Sequence, residues 1–331
     1  MSTDMKFPTK SRDFLVGLQI AVCLSTMLAQ ARSQSVPETN IPIRTTARLV
    51  LAPAIVRDRS GEFVPGLRSE EFELTDNGAV QTLRVEQTKG QPVALVVVMQ
   101  TGDGALREFQ SYQTLTRLLK IADPETLQKV AFVTFDSKPR QIWNFPPLRD
   151  GVQYAMNHPE SGDRGAAILD AVGQALDLLR QQPAAMRKMI LLLSQPRDDG
   201  SQSSLWELAQ RLGEANVTVY SVTFPAAKRA AFRTGRSGCN AGQLVLPKEL
   251  AGLCEETALQ LATLSGGEHI EVRKTSALDR SVAVLRDAFL NSYLLSFRPG
   301  SRDPGPHLLS LKIRTPGSPY TVSFRRFYWV R

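Results

Sequence analysis

The amino-acid sequence predicts an α/β fold with a doubly wound, mostly parallel sheet and helices on both faces. Val93–Met99 and Val130–Phe135 are continuous apolar runs, which are typical of strands buried on both faces. Amphipathic segments with helical periodicity alternate with such runs along the chain. Near both ends, polar and apolar residues alternate instead, which predicts a small β-sandwich formed from N- and C-terminal segments.

The elements of the α/β core follow one another in regular order. Strands are predicted at Val93–Met99, Val130–Phe135, Gln141–Phe145, Met189–Leu193, Val217–Phe224 and Glu268–Val272. Helices are predicted at Leu106–Ile121, Ala166–Leu179, Leu205–Leu212, Ala258–Leu264 and Leu278–Phe289. The third strand is expected at an antiparallel edge, and right-handed crossovers between the parallel strands would place helices on both faces.

The flanking segments contain strand patterns separated by turn residues. These strands are predicted at Ala47–Val56, Glu71–Leu74, Val80–Gln87, Tyr293–Phe297, His307–Arg314 and Tyr320–Tyr328. Asn77-Gly78 predicts a hairpin between Phe72–Leu74 and Leu83–Val85. Neither end of the chain has enough apolar surface for a core of its own, so the two are expected to pack together.

The predicted domain organisation has five parts. They are a signal peptide at 1–31, a linker at 32–45, an N-terminal β segment at 46–91, the α/β domain at 92–292 with an insertion at about 226–250, and C-terminal strands at 293–331 that pack with 46–91. The signal peptide is predicted from basic residues before the apolar stretch Phe14–Leu28 and from the cleavage pattern Ala29-Gln30-Ala31. That stretch is shorter than the roughly 20 residues that span a bilayer. Cleavage, export to the periplasm or medium, and no membrane insertion afterwards are therefore expected, and an uncleaved membrane anchor is the alternative.

Charge and cysteine content narrow the expected partners. The net charge is +8, and removal of 1–31, with three Lys/Arg and two Asp/Glu, leaves about +7. No basic run is interleaved with aromatic residues, so nucleic acid is not an expected partner. A protein partner is expected instead. Cys239 and Cys254 form a candidate disulfide in an oxidising compartment, and two buried free thiols are the alternative.

Several motifs resemble those of the von Willebrand factor A domain family, most of all an exported subfamily typical of Acidobacteria. They are the first core strand ending in Val96-Val97-Val98-Met99, the leader segments Val56–Gly61, Val64–Leu67 and Glu71–Leu74, and the closing segments Tyr293–Phe297 and Arg325–Trp329. The resemblance covers about residues 45–331. It implies a Rossmann-like sheet and a role in adhesion or as a protein scaffold.

Family members with an intact metal-ion-dependent adhesion site hold a divalent cation on three loops. The ligands come from a D-x-S-x-S motif, a Thr and an Asp. The corresponding positions here are Gln100, Gly102, Gly104, Ala166 and Gln195. Because Mg²⁺ needs oxygen ligands and none of these residues is charged, the resemblance implies a degenerate site with no cofactor.

The loops of the degenerate site form a candidate binding face. It comprises Gln100, Thr101, Asp103, Arg164, Gln195 and Arg197. Loss of carboxylates beside two arginines predicts a neutral-to-positive surface that suits a partner's carboxylate. The insertion at about 226–250 is a second candidate recognition element.

Two alternatives remain open at this point. Asp103, Asp163, Asp198 and Asp199 lie on the same loops and could hold Mg²⁺ or Ca²⁺ at a displaced site. Alternatively they are solvated loop carboxylates, with Asp163 capping a helix and Asp198-Asp199-Gly200 forming a turn. A second functional alternative is a structural component of a cell-envelope assembly.

The sequence favours a protein without enzymatic activity. Its histidines, His158, His269 and His307, do not lie at metal-ligand spacing, and each is expected at a surface or sheet edge. No G-x-S-x-G elbow and no phosphate-binding loop follow a strand. Glu255-Glu256 is expected to place favourable charges at a helix N-terminus.

Overall fold

The computed structural model describes residues 49–101, 105, 127–145, 154, 158, 162–224, 256–272, 284–285, 287–288, 290–301, 303–314 and 320–330. These residues belong to the larger of two compact units, which begins at Ala47. The predicted signal peptide, the linker, the helix at Leu106–Ile121, the insertion, and Cys239 and Cys254 lie outside the described residues. In the described part, no helix is long and apolar enough to cross a membrane.

The strands and helices of the described part are as follows. The strands are β1 (Val50–Arg57), β2 (Phe72–Asp76), β3 (Ala79–Val80), β4 (Arg84–Gln87), β5 (Val93–Gln100), β6 (Leu127–Phe135), β7 (Pro139–Trp143), β8 (Arg187–Ser194), β9 (Val217–Thr223), β10 (His269–Glu271), β11 (Tyr293–Phe297), β12 (Gly305–Ile313), β13 (Thr321–Phe324) and β14 (Phe327–Val330). The helices are α1 (Ile168–Arg180), α2 (Leu205–Glu214) and α3 (Thr257–Ser265). A single 3₁₀ turn spans Ser69–Glu71, and Val284, Leu285, Asp287, Ala288 and Leu290 are also helical.

The core sheet has the strand order β10-β9-β8-β5-β6-β7. All neighbouring strands are parallel except β7, which pairs antiparallel with β6 at the edge, as predicted. Every residue of β5 is buried, as its continuous apolar run predicts for a central strand. The chain passes from β5 to β6 on one side and later to β8 on the other, so a topological switch point lies between β5 and β8.

Helical residues cover both faces of this sheet. On one face, Val96 and Val98 of β5 belong to a buried cluster with α1, α2 and α3. On the other face, Val97 of β5 packs in a cluster with Leu285 and Ala288. The alternation of apolar side chains along β5 thus supplies both faces, and the predicted doubly wound fold is confirmed.

The two ends of the chain form two four-stranded antiparallel sheets. Their orders are β13-β1-β11-β4 and β14-β12-β2-β3, so each combines N- and C-terminal strands. A shared core includes Ala54, Leu74, Leu295 and Leu311. The Tyr293 hydroxyl donates to the Val64 carbonyl at 2.6 Å, which joins segments 229 residues apart. The predicted β-sandwich from both chain ends is therefore confirmed.

Two of the predicted strands are each divided between the two sheets. The Asn77-Gly78 turn, with φ of 47° and 87°, closes a hairpin with β3, in which Thr75 pairs with Val80. The predicted pairing of Phe72–Leu74 with Leu83–Val85 is wrong, because β4 pairs with β11 instead. Alternating apolar residues mark both pieces as strands, but they do not indicate where the chain crosses from one sheet to the other.

The predicted strand Tyr320–Tyr328 is interrupted in the same way. β13 pairs with β1, whereas β14 pairs with β12 in the other sheet. Arg325 and Arg326 form the crossing, and Arg325 is only 1% exposed. A charged pair that looks like a surface cluster in the sequence therefore contains a buried arginine.

The sandwich and the α/β domain are joined by polar and aromatic contacts. Arg57 of β1 donates from Nε and Nη2 to the two carboxylate oxygens of Glu268, at 3.0 and 2.9 Å. Trp206 of α2 stacks on Phe327 of β14 with ring centroids 5.2 Å apart. Both contacts join residues more than 100 positions apart in the chain.

Candidate functional site

The candidate site lies at the carboxyl edge of the parallel sheet, between the ends of β5 and β8. Gln100 is the last residue of β5, and Gln195 directly follows β8. Because β5 and β8 are parallel neighbours, these two residues are adjacent at the topological switch point. Ligands of doubly wound sheets bind at such crevices.

Gln100 and Gln195 are joined by hydrogen bonds between their amide groups. The Gln195 backbone N–H donates to Gln100 Oε1 at 2.8 Å, and Gln100 Nε2 donates to Gln195 Oε1 at 3.4 Å. Gln195 Nε2 also donates to the Arg197 carbonyl at 2.8 Å. The loops after β5 and β8 are therefore connected through neutral groups.

Gln100 and Thr101 lie beneath the predicted binding face rather than on it. Gln100 is 2% exposed and Thr101 is 1% exposed. The Thr101 backbone N–H and hydroxyl both donate to the Phe135 carbonyl, at 2.8 and 3.2 Å. Burial of both side chains gives them a supporting role in the predicted binding face, and the face itself stays a prediction.

The second loop of the site, which contains Ala166, and the third loop, which follows β8, are joined by backbone hydrogen bonds. The N–H of Ala166 donates to the Asp199 carbonyl at 2.9 Å, and the N–H of Asp199 donates back at 2.8 Å. Ala166 is fully buried, and a Cβ on the neighbouring Gly165 would lie 2.5 Å from Ser137 Cα. Only glycine allows this close approach.

Asp136, which belongs to none of the sequence motifs described above, organises the loop after β6. It is fully buried and accepts hydrogen bonds from Arg140 Nε at 2.7 Å and from the Asp163 N–H at 3.0 Å. The Asp136 carbonyl accepts from the Ala167 N–H at 2.7 Å. Its position directly after a buried parallel strand, like that of Gln195, is the sequence signal that could have identified it.

Asp163 is engaged in holding its own loop against the Ser137 turn. Its carboxylate accepts from the backbone N–H and hydroxyl of Ser137 at 3.0 and 2.5 Å and from the Gly165 N–H at 2.8 Å. The hydrogen bond from Ser137 is the main cause that lowers the Asp163 pKa. The predicted helix cap at Asp163 is wrong, because α1 begins after Ala167.

Asp198 contacts the start of α1 from the third loop. Its Oδ1 accepts from the Leu169 N–H at 3.1 Å and from the Ser201 hydroxyl at 2.5 Å. Burial raises the Asp198 pKa, although these hydrogen bonds oppose the shift. Asp198 therefore satisfies an N–H of the first helical turn, where α1 has no side-chain cap of its own.

The carboxylates proposed for a displaced cation site are largely committed to these loops. Asp163 and Asp198 both accept several hydrogen bonds within the protein. Within the described ranges, no group of three or more His, Cys, Asp or Glu side chains could hold a metal ion. Asp103, with Gly102 and Gly104, lies outside the described residues.

The loop that contains Ala166 and the loop after β8 each carry an exposed arginine at this edge. Arg164 and Arg197 are both exposed, whereas Gln195 is partly buried. Because the Ala166–Asp199 backbone pairing ties their loops together, the two arginines are carried by segments of defined relative position. Gln100 and Gln195, at the ends of β5 and β8, add no charge to this edge.

The histidines occupy three different environments. His158 is exposed and stacks on Tyr154, and His269 lies on β10, the edge strand of the described sheet. His307 is only 2% exposed, so the predicted surface or edge position is wrong for it. Its burial depends on the sandwich strands from the other end of the chain.

His269 pairs with a serine but does not form an accessible catalytic pair. Its Nδ1 lies 2.8 Å from Ser221 Oγ, and its Nε2 lies 3.9 Å from a Glu256 carboxylate oxygen. Ser221 is fully buried and donates its hydroxyl to the Ala258 carbonyl at 3.0 Å. A serine nucleophile needs contact with substrate, and burial of this hydroxyl prevents that contact.

Comparison with known proteins gives structural similarity alone. No family model matches the chain, and no curated protein matches it. The conserved hypothetical protein BatB from Bacteroides thetaiotaomicron is 15% identical, with 59% of this chain and 98% of that chain covered at a TM-score of 0.40. The SpRpn10 VWA domain is 11% identical, with 58% and 96% covered at a TM-score of 0.39.

A third solved structure is that of proximal thread matrix protein 1 from the mussel byssus. It is 10% identical, with 61% of this chain and 48% of that chain covered at a TM-score of 0.43. Similarity at this level does not assign the chain to a family. The functional argument therefore depends on the residues of this chain.

Proposed function

We propose that this protein is an exported, non-enzymatic adhesion or scaffold protein whose von Willebrand A-like domain binds a protein partner without a divalent cation. The observation that supports the proposal best is the Gln100–Gln195 amide pair at the switch point. At the two positions where the family resemblance expects carboxylate ligands, neutral amides bind each other.

The chemistry of the amide pair argues against a cation between the two loops. Mg²⁺ gives up its hydration water reluctantly and is usually bound through carboxylates. An ion at this point would have to break the 2.8 Å bond from the Gln195 N–H to Gln100 Oε1, and it would gain no negative charge in return. The hydrogen bonds of the pair already join the loops after β5 and β8. This is the role that a bridging ion would have, and the pair fills it without charge.

The proposed contact surface includes the exposed Arg164 and Arg197 and the partly buried Gln195. Asp103, the carboxylate of the predicted face, lies outside the described residues. Arginine binds carboxylates through two parallel N–H donors, so two arginines on connected loops suit an acidic side chain of a partner. A partner's carboxylate, which completes the cation shell in family members with an intact site, would here contact guanidinium groups directly.

A displaced Mg²⁺ or Ca²⁺ site remains the competing hypothesis, with Asp103, Asp163, Asp198 and Asp199 as its ligands. Two features of the described residues disfavour it. Asp163 already accepts hydrogen bonds from Ser137 and Gly165. Burial raises the pKa of Asp198, which disfavours the charged form that a hard cation requires.

The experiment is capture of a partner by the immobilised mature protein from an envelope extract, in EDTA or in millimolar Mg²⁺. We expect the same partner in both conditions, and we expect the double variant Arg164→Ala/Arg197→Ala to lose it. Arg59→Ala is the matched control, because Arg59 is an exposed arginine in the turn that follows β1 of the sandwich. Unchanged capture by the double variant would contradict the proposed surface.

Calorimetric titration of the same protein with Mg²⁺ and Ca²⁺ separates the two hypotheses. We expect no saturable heat and no rise in melting temperature, since a ligand that binds only the folded state must raise it. Saturable heat that Asp163→Asn removes would establish the displaced site. Asp58→Asn is the control, because Asp58 also holds its own turn through a serine hydroxyl, at 2.6 Å, but lies in the sandwich.

A further inference from the structure

A cavity of about 390 Å³ lies at the opposite edge of the parallel sheet from the Gln100–Gln195 pair. Its lining includes Arg187 and Lys188 at the start of β8, and Leu51 and Leu294 of the sandwich strands β1 and β11. It therefore lies at the junction of the α/β domain and the sandwich. Small-molecule sites are often found at such junctions, with volumes of roughly 300–1,000 Å³.

Arg325, from the crossing between β13 and β14, also lines this cavity. Its Nη1 donates to the Leu51 carbonyl at 2.8 Å and to Asn216 Oδ1 at 3.3 Å. Its Nε and Nη2 are buried and have no hydrogen-bond partner among the described residues. In the described part of the chain, no carboxylate forms an ion pair with this guanidinium.

The state of Arg325 is unusual for a buried charge. Buried charges are normally paired, and an unsatisfied buried donor is destabilising. Burial lowers the Arg325 pKa to about 10, but the side chain still carries its charge at neutral pH. An anion that accepts hydrogen bonds from Nε and Nη2 would satisfy both donors and neutralise the charge.

The surroundings of Arg325 add further positive charge. Arg187 Nη2 donates to Ser292 Oγ at 2.9 Å, and Lys188 and Arg180 also line the cavity. Burial lowers the pKa of both Arg187 and Lys188, as expected for cations gathered in a desolvated place. One acidic residue, Glu214, lies in the lining and accepts a hydrogen bond from Gln210 Nε2 at 3.3 Å.

The remaining lining combines apolar and uncharged polar side chains. The apolar part includes Leu51, Pro53, Met186, Met189 and Leu294, and the polar part includes Thr88, Gln91, Thr218 and Ser292. A ligand that fills the cavity must therefore combine a charged group with an apolar body, because an inorganic ion alone would leave most of this surface uncovered.

We propose that the cavity binds a small organic anion, with its carboxylate or phosphate group at Arg325 and Arg187 and its apolar body against Leu51, Met186 and Leu294. Nε and Nη2 of Arg325 lie on one edge of the planar guanidinium, and two such parallel donors suit an oxyanion once a ligand reaches this buried edge. The bound anion would join the sandwich to the α/β domain.

The first experiment compares three probes by calorimetry and thermal melting of the mature protein. Benzoate and phenyl phosphate carry an oxyanion on an apolar ring, and benzyl alcohol has the ring without the charge. We expect one or both anions to bind and to raise the melting temperature, and benzyl alcohol to do neither. The difference between the two anions identifies carboxylate or phosphate as the preferred group.

Matched variants then test the cavity itself. Ala185 is exposed and lines the cavity, so Ala185→Glu adds a negative charge without disturbing the core, and Ala185→Gln adds the same bulk without charge. We expect Ala185→Glu to bind the anion at least about 10-fold more weakly than Ala185→Gln, equivalent to about 1.4 kcal/mol. Arg325→Gln should reduce affinity similarly, whereas its exposed neighbour variant Arg326→Gln should not.

If Arg325→Gln fails to fold, the Ala185 pair decides the question. No binding of either anion at millimolar concentration would overturn the proposal. So would equal affinity of Ala185→Glu and Ala185→Gln. Water would then be the group that satisfies Nε and Nη2 of Arg325.

Discussion

His307 is a single residue whose hydrogen bonds join distant parts of the sandwich. Its Nδ1 lies 2.9 Å from Asp76 Oδ1, and its Nε2 lies 2.9 Å from the Asp303 carbonyl. The Tyr328 hydroxyl donates to the other Asp76 oxygen at 2.5 Å. Because both ring nitrogens face acceptors, the protonated imidazolium, with two N–H donors, fits this position better than the neutral ring.

This geometry predicts a pH-dependent contribution to stability. Burial alone would lower the His307 pKa, but the hydrogen bonds to Asp303 and Asp76 raise it above 6.5. A raised folded-state pKa means that the contribution is fully present below pH 6.5 and is lost as pH rises through the folded-state pKa. We expect His307→Gln to cost about 1.5–3 kcal/mol in acid, as for hydrogen bonds to charged groups, and less in alkali.

Urea unfolding of wild type and His307→Gln across this pH range measures the difference. His158→Gln is the control, because His158 is exposed and lies outside the sandwich core. A cost that is independent of pH would show that His307 contributes through packing alone.

At the scale of the elements, the loops at the carboxyl edge depend on close backbone approach. A Cβ on Gly165 would lie 2.5 Å from Ser137 Cα and 2.8 Å from Ser137 N. Backbone atoms cannot move aside as a flexible side chain can. We expect Gly165→Ala to destabilise the protein by about 1–3 kcal/mol, the usual cost of overpacking.

Gly213→Ala provides the opposite control in the same measurement of unfolding free energy. Gly213 lies in α2, and a Cβ there would meet nothing within 4 Å. Alanine should therefore stabilise the helix by about 0.5–1 kcal/mol. If Gly165→Ala were also neutral or stabilising, Gly165 and Ser137 would not need to lie this close for the protein to be stable.

The elements also separate what local patterns predict from what they do not. Continuous apolar runs located β5, β6 and β8, because burial on both faces removes the need for polar residues. The alternation of polar and apolar residues located the sandwich strands, but it predicted β3 and β4 as one strand and β13 and β14 as another. Each break is a crossing between sheets, and the partner strand that causes it lies more than 200 residues away for β4 and for β13.

At the scale of the whole molecule, the Arg57–Glu268 ion pair connects the sandwich with the α/β domain. Both side chains are 11% exposed. Although burial opposes it, the hydrogen bond and charge of Glu268 raise the Arg57 pKa. Arg57 also donates to the Gly61 carbonyl at 3.0 Å, so the guanidinium is held from both sides.

Breaking this pair should cost more than removing it entirely. We expect Arg57→Met to lower the unfolding free energy by about 3–5 kcal/mol, because Glu268 would remain as an uncompensated buried charge. The double variant Arg57→Met/Glu268→Leu should recover most of that loss. Chemical denaturation of the two variants measures the difference, and equal costs would mean that Glu268 is solvated without Arg57.

The sequence by itself determined the α/β class, the order of the core elements and the use of both chain ends in one sandwich, since apolar periodicity and turn residues act locally. The assignment of Gln100, Ala166 and Gln195 to the metal-ligand positions of the resembled family stays a prediction. The tertiary structure alone decided the burial of Arg325 and His307 and the role of Asp136. Their environments are built by residues distant in the chain, such as Leu51 for Arg325 and Asp76 for His307. A local pattern contains no information about such contacts, because burial of a charged side chain depends on which strands pack around it.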